Sequence, residues 1–182
     1  MARFVSEESL NQELSKIIEE ATESLILMSP YIKLNDKVKD RLLLVRDVHV
    51  LAITIVFGRS QRNKAKNLSN EDLEFFKQFP NIQIRYLEKL HAKYYANDTS
   101  ALLTSMNLHD YTIRTDIEFG IVLTVDSLFD SEIDGLSTDY FESAIRRSEI
   151  IFERRPVFSE GSMEYEESRV NADKTKEFFQ AS

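Results

Sequence analysis

The sequence predicts an α/β protein in which a mixed β-sheet is flanked by helices. Three observations carry that expectation. The segment VHVLAITIVFG (48–58) is β-branched and almost continuously apolar, the pattern of a strand covered on both faces. Helical and strand periodicities alternate through the first half of the chain, as they do when helices pack on a sheet. Two strand-like runs then meet at Asn97-Asp98, a turn dipeptide, which adds an antiparallel hairpin.

In order, residues 6–24 place Leu10, Leu14, Ile17, Ile18 and Ala21 at helical spacing, with Ser6 as the expected cap. The apolar run Leu25–Met28 reads as a buried strand ended by Pro30. Asn35 opens a second helix through Val38, Leu42 and Val45. The 48–58 strand follows and ends at Gly58. A third helix starts at Ser69, with Asp72 in the capping-box position, and stops before Pro80. NIQIRYL (81–87) alternates as a strand, the hairpin comes next, and IEFGIVLT (117–124) gives another strand. Beyond Asp126 the pattern is helical through Phe129, Tyr140, Phe141, Ala144 and Ile145. One domain over 1–153 is expected, with 154–182 as a polar C-terminal extension, either a peripheral helix or an arm that packs on a partner.

Composition narrows the function classes. The chain has no cysteine, which excludes disulfides and thiolate zinc sites. Its formal charge of −8 argues against a protein that coats nucleic acid through bulk charge, so any such binding needs a local patch. The N-terminus turns acidic at Glu7 without a signal-like apolar stretch, and no run approaches the roughly 18 apolar residues of a spanning helix. The expectation is a soluble, cytoplasmic protein without membrane insertion.

The chemistry concentrates between Leu90 and Gly120. Strand alternation puts His91, Lys93 and Tyr95 on one face, and Ser105 shares a face with Asn107. A hairpin centred on Thr99 sets His91 opposite Asn107 and Lys93 opposite Ser105, each pair summing to 198. An imidazole can attack phosphorus, while an ammonium and neutral donors hold the non-bridging oxygens as charge builds on them. Glu118 is the candidate carboxylate for the other ring N–H of His91. Asp98 is assigned to the turn rather than to the chemistry. His109 is expected as a loop residue close to Asn107, and His49 as an interior or strand-end histidine of an apolar strand. The loop after Gly58 carries Arg59, Arg62, Lys64 and Lys66 with no acidic residue, a candidate contact for a polyanion.

His91-Ala-Lys93, Asp98, Thr104-Ser105-Met106-Asn107 and Glu118 together resemble the His-x-Lys signature of the phospholipase D superfamily, and the order of elements over roughly residues 6–150 fits as well. The match departs in two ways. The spacing from Asp98 to Thr104 is one residue short, and Thr104 stands where the family has glycine. The resemblance implies a phospholipase D-like sandwich and a metal-independent phosphodiesterase without cofactor, working through a phosphohistidine. It assigns His91, Lys93, Asn107 and Glu118 to catalysis, and Ser105 and Thr104 to substrate contact, beside Arg59 and Arg62 of the basic loop. The family mechanism uses two histidines, and this chain holds one copy of the motif. By resemblance to single-motif members, two protomers would therefore pair about a two-fold axis into one composite site. Such members imply a nuclease acting on nucleic acid; the alternatives are a non-catalytic module that binds nucleic acid or protein, and a phospholipid hydrolase.

Overall fold

The computed structural model describes residues 1–58, 66–108, 117–124 and 132–180. Its elements in chain order are β1 (Ala2–Ser6), α1 (Glu8–Glu19), β2 (Ser24–Ser29), α2 (Asp36–Leu44), β3 (Ala52–Phe57) and α3 (Asn70–Phe76). There follow β4 (Ile82–Tyr86), β5 (Tyr94–Asn97), β6 (Ser100–Thr104), β7 (Phe119–Thr124), α4 (Glu132–Arg147), β8 (Glu149–Phe158), β9 (Tyr165–Asp173) and α5 (Thr175–Gln180). The described strands form one mixed sheet in the order β1-β7-β6-β5-β2-β3-β4-β8-β9. β2, β3 and β4 are parallel; β5 runs antiparallel to β2, and β8 antiparallel to β4.

Alternation along the central strands divides their side chains between two cores. Leu25, Leu27, Ile53, Ile55, Ile82, Ile84, Tyr95, Leu102 and Val122 face the layer of α1, α2 and α3. Met28, Val56, Tyr94, Ala96, Ala101 and Leu123 face α4 through Phe141 and Ala144. This two-sided burial is why the central strands read as unbroken apolar runs. Two helix starts carry the expected caps. Asn35 Oδ1 accepts the Val38 N–H at 2.9 Å, and Ser69 Oγ accepts the Asp72 N–H at 3.1 Å while donating to the Asp72 carboxylate at 2.8 Å.

Both chain ends depart from expectation. Residues 2–6, to which the sequence pattern assigned no strand, form edge strand β1 against β7, with Phe4 opposite Ile121. The helix begins at Glu8 and Ser6 is not its cap; Glu7 turns the chain with φ 50°, and the Ser9 hydroxyl donates back to the Ser6 carbonyl at 2.5 Å. At the other end β8 runs across residue 153, and the polar stretch beyond it continues that strand, returns as β9 and ends in α5. β9 is an outer strand whose residues are mostly exposed. With water on both sides, it lacks the apolar alternation by which a strand is recognised, and its charges protect the free edge.

Candidate active site

Topology gathers the candidate residues at one end of the sheet. Met28, near the C-terminus of β2, pairs with Tyr94 at the N-terminus of β5, so the preceding His91–Lys93 segment lies at the C-terminal end of the parallel strands. β6 returns to that end, and Ser105 and Asn107 follow its last residue, Thr104. β7 starts there, with Gly120 opposite Thr104, and Glu118 immediately precedes it. α/β sheets commonly bind ligands at this end. His91 is exposed, and Lys93, Ser105, Asn107 and Glu118 are half-buried.

The hairpin register differs from the expected one by a single residue. Tyr94 pairs with Leu103 and Tyr95 with Leu102, a sum of 197, around a two-residue Asp98-Thr99 turn. Lys93 therefore meets Thr104, whose N–H donates to the Lys93 carbonyl at 3.2 Å, and His91 lies ahead of the strand rather than opposite Asn107. Two causes set this register. Asn97 Oδ1 accepts the N–H groups of Thr99 and Ser100, both at 2.9 Å, and its amide donates to the Ile17 carbonyl at 2.9 Å, which fixes the short turn. The register also keeps Tyr95 and Leu102 together in the α1-side core, whereas a one-residue slip would turn one of the strands inside out.

Asp98 lies at the opposite end of the sheet. Its carboxylate accepts from Thr22 N and Oγ1 (both 2.7 Å), Glu23 N (3.0 and 3.1 Å), Ser24 N (2.5 Å) and Ser24 Oγ (3.1 Å). Partial burial pushes its pKa up, but these hydrogen bonds outweigh burial and hold it at about 2. The motif aspartate thus clasps the α1–β2 loop to the hairpin tip.

At the site end, the Ser105 hydroxyl donates to the Glu118 carboxylate and accepts the Phe119 N–H at 3.1 Å. Among the described residues Glu118 does not hydrogen-bond the His91 imidazole; its partner is Ser105. The Thr104 hydroxyl donates to the Phe119 carbonyl at 2.6 Å and accepts the Met106 N–H at 3.1 Å. That hydroxyl therefore ties β6 to β7, and its proton is committed to the backbone. Gly120 has no room for a side chain, because an added Cβ would lie 2.8 Å from Leu102 Cδ1, 2.9 Å from Leu10 Cδ2 and 3.0 Å from the Leu103 carbonyl. The glycine lets α1 press on the β6–β7 pair beside Glu118.

Asn107 sits on a loop held by contacts that no local sequence pattern announces. Ser29, fully buried at the end of β2, accepts the Leu108 N–H at 3.0 Å and donates to the Tyr31 carbonyl at 2.7 Å. The Lys33 N–H donates to the Leu108 carbonyl at 2.8 Å, and the Tyr95 hydroxyl to the Met106 carbonyl at 2.9 Å. The available signal was a serine closing an apolar strand, whose buried hydroxyl needs an N–H donor as well as the local Tyr31 carbonyl. Asn107 Oδ1 is buried and has no hydrogen-bond partner among the described residues. An acceptor stranded at a site invites a donor from a ligand or from a protonated imidazole.

Arg59, Arg62, Lys64 and His109 lie outside the described residues. His49 is remote from the site: it precedes β3 at the other end of the sheet and stacks on Tyr165, with ring centroids 3.6 Å apart and planes 3° from parallel. Among the described residues no helix is long and apolar enough to cross a membrane.

No protein-family description and no curated protein matches this sequence. Solved structures do match. NucT from Helicobacter pylori superposes with a TM-score of 0.64 at 14% identity, over 82% of this chain and 98% of that one. Nuc from Salmonella typhimurium, described as a phospholipase D family member, gives 0.60 at 12% identity, over 82% and 97%. TrmBL2, an archaeal chromatin protein described as showing a novel mode of DNA binding, gives 0.59 at 15% identity, over 82% of this chain and 53% of that one.

Proposed function

We propose that this chain, whose fold is that of the phospholipase D superfamily, is a metal-independent phosphodiesterase that cleaves nucleic acid at a site shared by two protomers. The observation that carries the reading is that the start of β5, the end of β6 and the start of β7, which adjoin His91–Lys93, Ser105–Asn107 and Glu118, lie at one end of the sheet. His91 attacks the phosphorus through an imidazole nitrogen, so a P–N bond forms as the bond to the leaving oxygen breaks. The protonated His91 of the partner subunit gives that oxygen its proton. Water then attacks the phosphohistidine, the P–N bond breaks, and His91 of the partner subunit takes the water's proton. Lys93 balances charge on the non-bridging oxygens, and Asn107, with its unpartnered acceptor, orients the reacting groups. Glu118, through Ser105, stiffens the wall beside them.

Support for pairing comes from the α4 side of the sheet. Over β4 and β8 this face is polar: Arg85 donates to Gln83, to Ser148 Oγ and to the Ser148 carbonyl at 2.7–2.9 Å, and Arg155 pairs with Glu153 at 3.0 Å. Over β1 and β7 it is apolar and open. Phe4 is 68% and Phe119 50% exposed, their rings 6.1 Å apart, with Ile121 and Ile117 exposed nearby. These four side chains offer on the order of 400–500 Å² of surface, about half of one partner's share of a standard interface. The patch adjoins Glu118, and a second copy docked there brings a second His91 towards the first.

TrmBL2 supports a second reading, a DNA-binding module without turnover, and Thr104 in place of the family glycine fits it too. One panel separates the readings: single- and double-stranded DNA, RNA, phosphatidylcholine vesicles and an aryl phosphodiester, each with EDTA. Turnover of DNA or RNA that disappears in His91→Ala supports the nuclease. Turnover of the vesicles instead points to a lipid hydrolase, and binding of DNA without turnover of any substrate points to the module.

A further inference from the structure

The C-terminal helix reaches the same end of the sheet as the candidate site. β9 ends at Asp173, which caps α5 by accepting the Thr175 N–H at 3.1 Å and the Thr175 hydroxyl at 2.5 Å, and which pairs with Lys77 at 3.2 Å. From this anchor α5 lays Phe178 and Phe179 on the last residues of β3 and β4. Phe178 is buried; its ring lies 4.9 Å from Tyr86 and 5.9 Å from Phe57, edge-on to each. Phe179 stacks parallel to Phe57 at 6.4 Å, and Phe57 meets Tyr86 at 5.6 Å.

The two residues under α5 are where the site segments begin. Phe57 leads into Gly58, which has φ 126° and would place an added Cβ 2.4 Å from the Tyr86 ring. Tyr86 leads into Leu87, whose N–H donates to the Phe57 carbonyl at 2.9 Å. The Leu90 N–H donates to the Leu87 carbonyl at 3.3 Å, and Leu90 is itself buried in the α4-side core. His91 is the next residue. A short covalent and hydrogen-bonded path therefore joins the Phe178 ring to the backbone that presents His91. The contact is also finely balanced. The Tyr86 hydroxyl is buried with no hydrogen-bond partner among the described residues, which opposes docking, while burial of Phe178 favours it. A helix of six residues has little stability of its own, so α5 is ordered only by what it touches.

We propose that α5 is a latch for the site and that Phe178 is a positioning residue, acting through Tyr86 and Leu87–Leu90 on His91. The catalytic part of this inference rests on the phosphodiesterase reading; the structural part does not. The test compares full-length wild type, Phe178→Ala and Phe178→Leu by amide hydrogen exchange and by kinetics on a small aryl phosphodiester. In Phe178→Ala, exchange across Leu87–Lys93 should rise about tenfold while the β1–β7 and β5–β6 amides keep their protection. kcat should fall about tenfold with KM little changed, because the small substrate is still bound but meets a displaced nucleophile. Phe178→Leu, which keeps most of the volume, should fall between wild type and Phe178→Ala in both measures, and it alone decides the matter if Phe178→Ala does not fold. Unchanged exchange at Leu87–Lys93, or an equal rise across the whole sheet, overturns the latch. If wild type turns over nothing, the functional reading fails, and the exchange pattern still decides whether α5 holds the segment.

Discussion

Replacing Asp98 by Asn separates structure from chemistry within the motif. In the wild type both carboxylate oxygens face donors only: three backbone N–H groups and two hydroxyls from Thr22, Glu23 and Ser24. An amide in that place turns one acceptor into a donor pointed at other donors. Moving a carboxyl pKa from 3.8 to about 2 is worth on the order of 2.4 kcal/mol at neutral pH. Partial exposure to water reduces this to roughly 1–2 kcal/mol. Because the folded-state pKa is depressed, the stabilisation is complete above the unfolded value near 4 and fades as pH falls towards 2. Urea unfolding followed by circular dichroism at pH 7 should show Asp98→Asn less stable by ~1–2 kcal/mol, or a Tm lower by about 3–6 °C. The gap should narrow between about pH 4 and pH 2. Since Asp98 is at the far end of the sheet from His91, kcat measured well below the melting temperature should change by less than about threefold. A variant that keeps wild-type stability but loses turnover would refute this reasoning and give Asp98 a chemical role.

Other outcomes follow from the same contacts. Ser29→Ala leaves the Leu108 N–H without its buried acceptor, which should cost about 1–3 kcal/mol in urea unfolding and lower kcat as the Asn107 loop shifts. Gly120→Ala should destabilise by about 1–3 kcal/mol in thermal melts, because Leu10, Leu102 and the Leu103 carbonyl must all give way to the new methyl. Wild type should sediment as a dimer and the double variant Phe4→Ser, Phe119→Ser as a folded monomer that has lost turnover; a variant dimer as tight as wild type would remove the β1–β7 patch from the interface.

The alternation of apolar runs and helix caps made a sheet with a core on each face legible in the sequence, because strands such as Ala52–Phe57 are buried on both sides and have no polar face to confuse the pattern. Spacing along the chain was enough to anticipate that the segments carrying His91, Lys93, Ser105, Asn107 and Glu118 adjoin strand ends at one end of the sheet. The register was not legible. A hairpin with two plausible turn centres is decided by what the turn side chains bond, and Asn97 finds its partners at Ile17, eighty residues away in sequence. β1 and β9 escaped notice for a different reason: edge strands exposed to water do not display the period that reveals a strand. Nor could spacing reveal that Glu118 would find Ser105 or that a buried Ser29 would hold the Asn107 loop, since both contacts depend on neighbours that only the sheet order supplies.

The proposed mechanism requires His91 to form a bond to phosphorus. A single-turnover reaction in EDTA, with a substrate radiolabelled at the scissile phosphate and an alkaline quench, tests it directly. Label should stay on the wild-type chain at His91 within the first turnover and then leave as product appears, and His91→Ala should neither retain label nor turn over. Hydrolysis at the wild-type rate by His91→Ala, or label retained on any other residue, would contradict it.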